Sequence, residues 1–206
     1  IETEQELNQW FIEEPVSAFS PDGSYAVGYS EVDNANLLWD INTLTKTHSY
    51  GYSGSPWRNA TLFSSDGKYL LAAYGNEIVL SDVASGEELQ IFRGHAEGVK
   101  GLAISPDEKY VLSGSDDRTV RLWGIETGKE IRRFSGHTGG VHSVAFSSDG
   151  QRILTGGGGT VLFWDLEAHP ALPTFNGGND IYGIAFSRDG KYLATNVFSN
   201  ELRVWE

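Results

Sequence analysis

The chain has 206 residues, enough for one domain that buries roughly 70% of the surface its unfolded form would expose, and without cysteine it can use neither disulfides nor thiol chemistry. Its 28 acidic and 15 basic side chains leave a net charge of −13, which argues against nucleic acid as a partner, because phosphate neutralisation by Lys and Arg supplies most non-specific affinity there. No apolar run approaches the roughly 20 residues of a membrane-spanning helix and no secretory leader is visible, so a membrane partner is not expected and a cytoplasmic location is.

The first punctuation in chain order is Phe19-Ser20-Pro21-Asp22-Gly23, a tight-turn phrase after an apolar strand. It returns at Phe63 to Gly67, Ile104 to Glu108, Phe146 to Gly150 and Phe186 to Gly190, so that Asp22, Asp66, Asp107, Asp149 and Asp189 stand 44, 41, 42 and 40 residues apart. Trp39, Trp123, Trp164 and Trp205 follow in step at 84, 41 and 41, and Ser81 stands where a fifth would fall. Such a period marks a repeat protein. Within each unit, short alternating runs such as Val99 to Ile104, Tyr110 to Leu112 and Val120 to Trp123 leave room for four strands and no helix. A further aromatic recurs late in each unit as Tyr50, Phe92, Phe134 and Phe175. The last unit stops short of it, yet Ile1 to Trp10 matches Ile125 to Phe134 in register and places Trp10 there. Five complete units result.

Leu38-Trp39-Asp40, Phe163-Trp164-Asp165, the Gly94-His95 and Gly136-His137 pairs and the phrase from Ser113 to Trp123 make the whole chain resemble the WD40-repeat family. The resemblance implies an all-β fold, a β-propeller of about five four-stranded blades. Residues 12–55, 56–97, 98–139 and 140–179 would form blades one to four, and 180–206 three strands of a fifth. Residues 1–11 would close that last blade, which removes an exposed sheet edge.

The resemblance also implies a buried network of Gly-His histidine, second-strand hydroxyl, turn aspartate and tryptophan. His95, Ser113, Asp117 and Trp123 supply all four in the third unit. The fourth keeps His137, Thr155 and Trp164 but has Gly156 to Gly159 where the aspartate would stand, so its network is expected to be incomplete. Those glycines join two strands, with no helix or following Lys, and read as a tight connection rather than a phosphate loop.

Units five, one and two lack Gly-His and hold the aromatics that fall outside the repeat register: Phe11, Tyr29, Tyr52, Trp57, Tyr74, Tyr182 and Phe198. Most lie near loops that a four-stranded meander brings to one face, where they would anchor a partner or else fill volume left by missing Gly-His and Trp residues. Residues 1–55 carry nine acids against Lys46 alone, either a solvated surface or a docking face for a basic partner. A third set, Pro15, Asn59, Lys100, His142 and Tyr182, occupies one position near the mouth of the expected central channel. Five chemistries there suit asymmetric recognition, or a position that nothing constrains.

No Cys, His or carboxylate cluster has metal-ligand spacing, and Gly51-Tyr52-Ser53-Gly54 falls short of a nucleophile elbow, so neither cofactor, metal nor catalytic residue is expected. The reading is a non-enzymatic scaffold that binds a protein or peptide of basic character through loops of blades five, one and two, monomeric if the ring closes alone. The alternatives are a structural or sensor segment of a larger multidomain regulatory protein, as in prokaryotic relatives of the family, and an enzyme with its site around His142, Lys100 and Tyr182.

Overall fold

The computed structural model describes residues 16–30, 32–33, 35–50, 60–167, 172–176, 181–187, 189–197 and 201–205. Its punctuation is one turn made five times. Ser20 Oγ donates to Asp22 Oδ1 (2.7 Å) and accepts from the Tyr25 N–H (2.8 Å), while the Gly23 N–H closes onto the Ser20 carbonyl with Gly23 at φ +74°. The same pattern joins Ser64, Asp66 and Tyr69, then Ser105, Asp107 and Tyr110, then Ser147, Asp149 and Arg152, then Ser187, Asp189 and Tyr192. Hydrogen bonding to the charged form lowers a carboxyl pKa. Asp22 is accordingly held at about 2, chiefly by the Ser20 hydroxyl, and Asp66 at about 2, chiefly by Lys68. Glu108 takes the left-handed position of the third turn at φ +56°, and its carboxylate accepts the Ser65 N–H (2.9 Å) of the preceding one.

Between these turns the chain folds into antiparallel meanders. The first sheet comprises β1 (Val16–Phe19), β2 (Tyr25–Ser30), β3 (Ala35–Asp40) and β4 (Thr45–Tyr50). The second comprises β5 (Thr61–Phe63), β6 (Tyr69–Tyr74), β7 (Glu77–Asp82) and β8 (Glu88–Arg93). The third is β9 (Val99–Ile104), β10 (Tyr110–Ser115), β11 (Thr119–Gly124) and β12 (Glu130–Ser135), and the fourth β13 (Val141–Phe146), β14 (Arg152–Gly157), β15 (Thr160–Asp165) and β16 (Leu172–Asn176). β17 (Ile181–Phe186), β18 (Leu193–Val197) and β19 (Glu201–Trp205) form a fifth sheet with three described strands. The closing strand expected at residues 1–11 lies outside the described residues. No helix of the described residues is long and apolar enough to cross a membrane.

Successive sheets meet through their innermost strands, β1 beside β5, β5 beside β9, β9 beside β13 and β13 beside β17. Because side chains alternate along a strand, Leu70, Ala72 and Tyr74 of β6 pack toward the first sheet and Leu71 and Ala73 toward the third. The outer aromatic of one sheet meets the tryptophan of the next: Phe92 lies 6.0 Å from Trp123, and Phe134 5.3 Å from Trp164, centroid to centroid. Between the first and second sheets Tyr50 has only Ser81 at the tryptophan position. There Tyr74 adds aromatic volume instead, its hydroxyl donating to the Tyr50 carbonyl (3.4 Å).

The third-sheet network is a directed chain of hydrogen bonds. Trp123 Nε1 donates to Ser113 Oγ (2.8 Å), Ser113 Oγ meets His95 Nε2 (2.8 Å), and His95 Nδ1 meets Asp117 Oδ2 (2.8 Å), so the imidazole carries its proton on Nδ1. Burial raises the Asp117 carboxyl, but Thr119 Oγ1, the Ala96 N–H and His95 together hold it well below the usual range. In the fourth sheet Trp164 donates to Thr155 (2.9 Å) and Thr155 meets His137 Nε2 (2.7 Å). There the expected gap is filled. His137 Nδ1 donates to the Gly157 carbonyl (3.1 Å), which replaces the missing carboxylate and also accepts from Thr160 Oγ1 (3.0 Å). Gly158 and Gly159, at φ +55° and +74°, make the two-residue turn that exposes this carbonyl to the histidine. In the fifth sheet Trp205 still donates to Thr195 (3.3 Å).

Burial lowers the pKa of both His95 and His137, overriding the Asp117 carboxylate at His95 and the Gly157 carbonyl at His137. A histidine whose folded pKa is depressed stabilises the fold above its unfolded value of 6.5, and that contribution is lost as pH falls below it. The thermal midpoint should therefore fall as pH drops from about 7.5 to about 5, and His137→Gln should flatten the slope. A pH-independent midpoint across that window would contradict the buried neutral imidazoles.

Candidate interaction site

The connection between the second and third sheets runs along the turns between second and third strands. The Val99 N–H donates to the Gly75 carbonyl (2.7 Å), Asn76 Nδ2 to the His95 carbonyl (2.9 Å), the Asp116 N–H to the Gly98 carbonyl (2.9 Å) and Ser115 Oγ to the Glu97 carbonyl (2.9 Å). Connections and turns thus share one end of the sheets, as the meander requires.

At this end Lys100, His142 and Tyr182 are each the second residue of an innermost strand, β9, β13 and β17. Because those strands are neighbours, the three side chains form a row. The His142 and Tyr182 rings lie tilted against each other, 5.3 Å between centroids and 33° between planes, and Lys100 Nζ lies 3.4 Å from Asp116 Oδ2. Asp116 stands between the two halves: a Cβ built on Gly140 would meet Asp116 Oδ1 at 2.8 Å and His142 Nε2 at 3.5 Å. A side chain at position 140 would therefore have to displace the Asp116 carboxylate. Spacing arguments missed Asp116, whose signal was the doubled aspartate in Ser115-Asp116-Asp117: Asp117 serves the network and leaves its neighbour for another use. Pro15 and Asn59 lie outside the described residues.

Tyr182 is 50% exposed although it sits on an innermost strand. Tyr29, at the end of β2, is half-buried. Tyr74 corrects the aromatic surface expected from sequence: it is 9% exposed and packs between the first and second sheets, filling interface volume where the second unit lacks its tryptophan. Phe11, Tyr52, Trp57 and Phe198 lie outside the described residues. Val32, in the turn between β2 and β3, is 95% exposed, an apolar residue that periodicity did not single out.

The first sheet is also electrostatically unfinished. Among the described residues, Asn36 Nδ2, Trp39 Nε1, His48 Nδ1 and the Tyr50 hydroxyl are buried polar atoms without a hydrogen-bond partner. Trp39 lacks one because Gly28 stands six residues after Asp22, where Ser113 follows Asp107. Burial, aided by the Asp82 charge, pushes the Tyr50 phenol up to about 12. Among the described residues no three His, Cys, Asp or Glu side chains gather as a metal ion requires. Tyr74→Ala should lower the unfolding free energy by about 3 kcal/mol, as truncation of a buried aromatic does. Tyr182→Ala should cost less than about 1 kcal/mol. Denaturant midpoints at unchanged m-value measure both, and equal losses would refute the distinction.

Comparison with known proteins accounts for this architecture. The family profile described as WD domain, G-beta repeat matches residues 86–124, 128–165 and 170–206, more than half of the chain. A WD repeat-containing protein of Synechocystis is 33% identical over 107 residues, 50% of this chain and 30% of its own length. Small ribosomal subunit protein RACK1 of Schizosaccharomyces pombe is 34% identical over 115 residues, 52% of this chain and 36% of its own. Autophagy-related protein 16 of Arabidopsis thaliana is 27% identical over 178 residues, 84% of this chain and 35% of its own. The matched stretches thus span about a third of the length of these relatives. WD repeat proteins act in general as scaffolds for protein interactions. With its repeated turns, its stacked meanders and its tryptophan networks, the chain belongs to the WD40-repeat family.

Proposed function

We propose that the protein is a non-enzymatic interaction scaffold that binds a protein or peptide at the end where turns and connections gather, across the fifth, first and second sheets. The observation that carries this reading is Tyr182, half exposed on the innermost strand of the fifth sheet, its ring tilted against His142 at 5.3 Å. A large ring left in water at a structured end is what an interface anchor looks like. Acidic side chains concentrated in residues 1–55 favour a partner of basic character. Trp57, in the connection between the first and second sheets, is the tryptophan outside every repeat position and the second anchor. Trp57→Ala should weaken capture of the native partner at least tenfold, about 1.4 kcal/mol, with the thermal midpoint unchanged. Asp117→Ala should do the opposite, lowering stability by about 3 kcal/mol and sparing specificity. Parallel losses of affinity and stability in Trp57→Ala would defeat the proposal.

The scaffold further requires a closed ring, and we assign its closure to residues 1–11 as the fourth strand of the last blade. β19 is the outermost described strand of the fifth sheet, and its Leu202 and Val204 are exposed. An exposed edge of this kind invites pairing with another chain. Removing residues 1–11 should lower the thermal midpoint and produce concentration-dependent association in sedimentation, and a monomer of unchanged midpoint would exclude this closure. A segment within a longer polypeptide is the second reading, favoured by the greater length of the relatives.

A further inference from the structure

Three interfaces between sheets share a contact at the end of the sheets opposite the connections. The residue two before the outer aromatic, His48, Gln90 or Arg132, reaches the turn between the third and fourth strands of the following sheet. A Cβ built on Gly86 would overlap the His48 ring, and one built on Gly128 would overlap the Gln90 amide. Arg132 Nη1 donates to the Leu166 carbonyl of the fourth sheet (2.9 Å). In the second and third sheets, glycine in the turn thus leaves room for a long side chain arriving from the sheet before.

The first sheet makes the same turn with a different residue. The Leu44 N–H donates to the Asp40 carbonyl (2.8 Å), as the Gly86 N–H does to Asp82 and the Gly128 N–H to Gly124 (2.9 Å each). All three positions are left-handed, at φ +66°, +72° and +65°. A leucine enters that region only at a cost, and this one is 49% exposed. Whatever packs before the first sheet must therefore present a short side chain where His48 and Gln90 stand elsewhere.

Asn8 meets that condition. Residues 1–10 match residues 125–134 in register, so Asn8 stands two before Trp10 as Gln90 stands two before Phe92, with its amide drawn back by one methylene. We infer that Leu44 is the residue that selects the closing strand: it accepts residues 1–11 through Asn8 and refuses an outer strand of the β4, β8 or β12 kind, whose longer side chain would collide with it. This rests on closure by residues 1–11 and adds where on the first sheet that segment docks. The length of the connection agrees, since residues 12–15 join residue 11 to β1 much as residues 94–98 join β8 to β9 and residues 136–140 join β12 to β13. Selection by a built-in clash matters here because a second copy of the chain carries β4, β8 and β12 as well, and an unfilled sheet edge would take them.

The test uses the full chain. Asn8→His copies the His48 side chain onto the closing strand and should lower the thermal midpoint by about 3 °C. Adding Leu44→Gly re-creates the His48 and Gly86 pair and should recover most of that loss, the coupling expected of residues in contact. Because the chain has no cysteine, Asn8→Cys with Leu44→Cys gives a unique pair, which a short bismaleimide should join within one chain. A neutral Asn8→His, strictly additive midpoints, or a crosslink that forms only between two chains would each overturn the inference. If removal of residues 1–11 still lowers the midpoint in that event, closure stands and only the selection by Leu44 falls. Trp57-dependent capture of the native partner reports separately on the scaffold reading.

Discussion

A four-stranded antiparallel sheet of six-residue strands has two faces and no way to cover either by itself. The constraint on which the rest of this structure depends is that each sheet must hide its apolar faces against the sheets before and after it. The aromatic contact between an outer strand and the tryptophan of the next sheet is how the regular units meet it, as Phe92 does with Trp123 and Phe134 with Trp164. Once these pairs are in place, the four clusters of buried side chains follow from strand alternation alone. The innermost strands then have no choice but to stand side by side.

The hydrogen-bonded chain from tryptophan to hydroxyl to histidine performs a different task. It fastens a β-sheet to the connection that leads into it, so that the end carrying Asp116 and the row beside it is rigidly placed. A buried imidazole needs an acceptor for its second nitrogen, but the chemistry does not require a carboxylate. Asp117 supplies one in the third sheet and the Gly157 carbonyl in the fourth. Two glycines with positive φ achieve this at the cost of backbone entropy, and in return the sheet buries no charge there.

Regularity fades toward the first sheet, and the physical consequences differ from place to place. Ser81 removes an aromatic partner, and Tyr74 is drawn inward to take its share of the interface. Gly28 removes a hydroxyl, and the Trp39 indole has no acceptor among the described residues. Substitutions of the same apparent kind thus consumed one candidate anchor and left another position unsatisfied. Tyr182 stays half exposed on an innermost strand, its ring against that of His142 in the neighbouring sheet.

Read alone, the sequence determined the repeat, the all-β class, the positions of the five recurring Ser-Asp turns and the side chains of both histidine networks. Each of these depends on local chemistry, the Ser, Asp and Gly of a turn or the spacing of a period, and local chemistry is written in neighbouring residues. It could not reveal that Gly157 replaces an aspartate, that Thr195 keeps its bond to Trp205, that Tyr74 is buried or that Asp116 stands between Lys100 and His142. Those facts depend on which backbone carbonyl faces an imidazole and which strand lies beside which. Residues some 40 apart in the chain meet only when the sheets stack, and the period that announces the stacking carries no record of the distances between them.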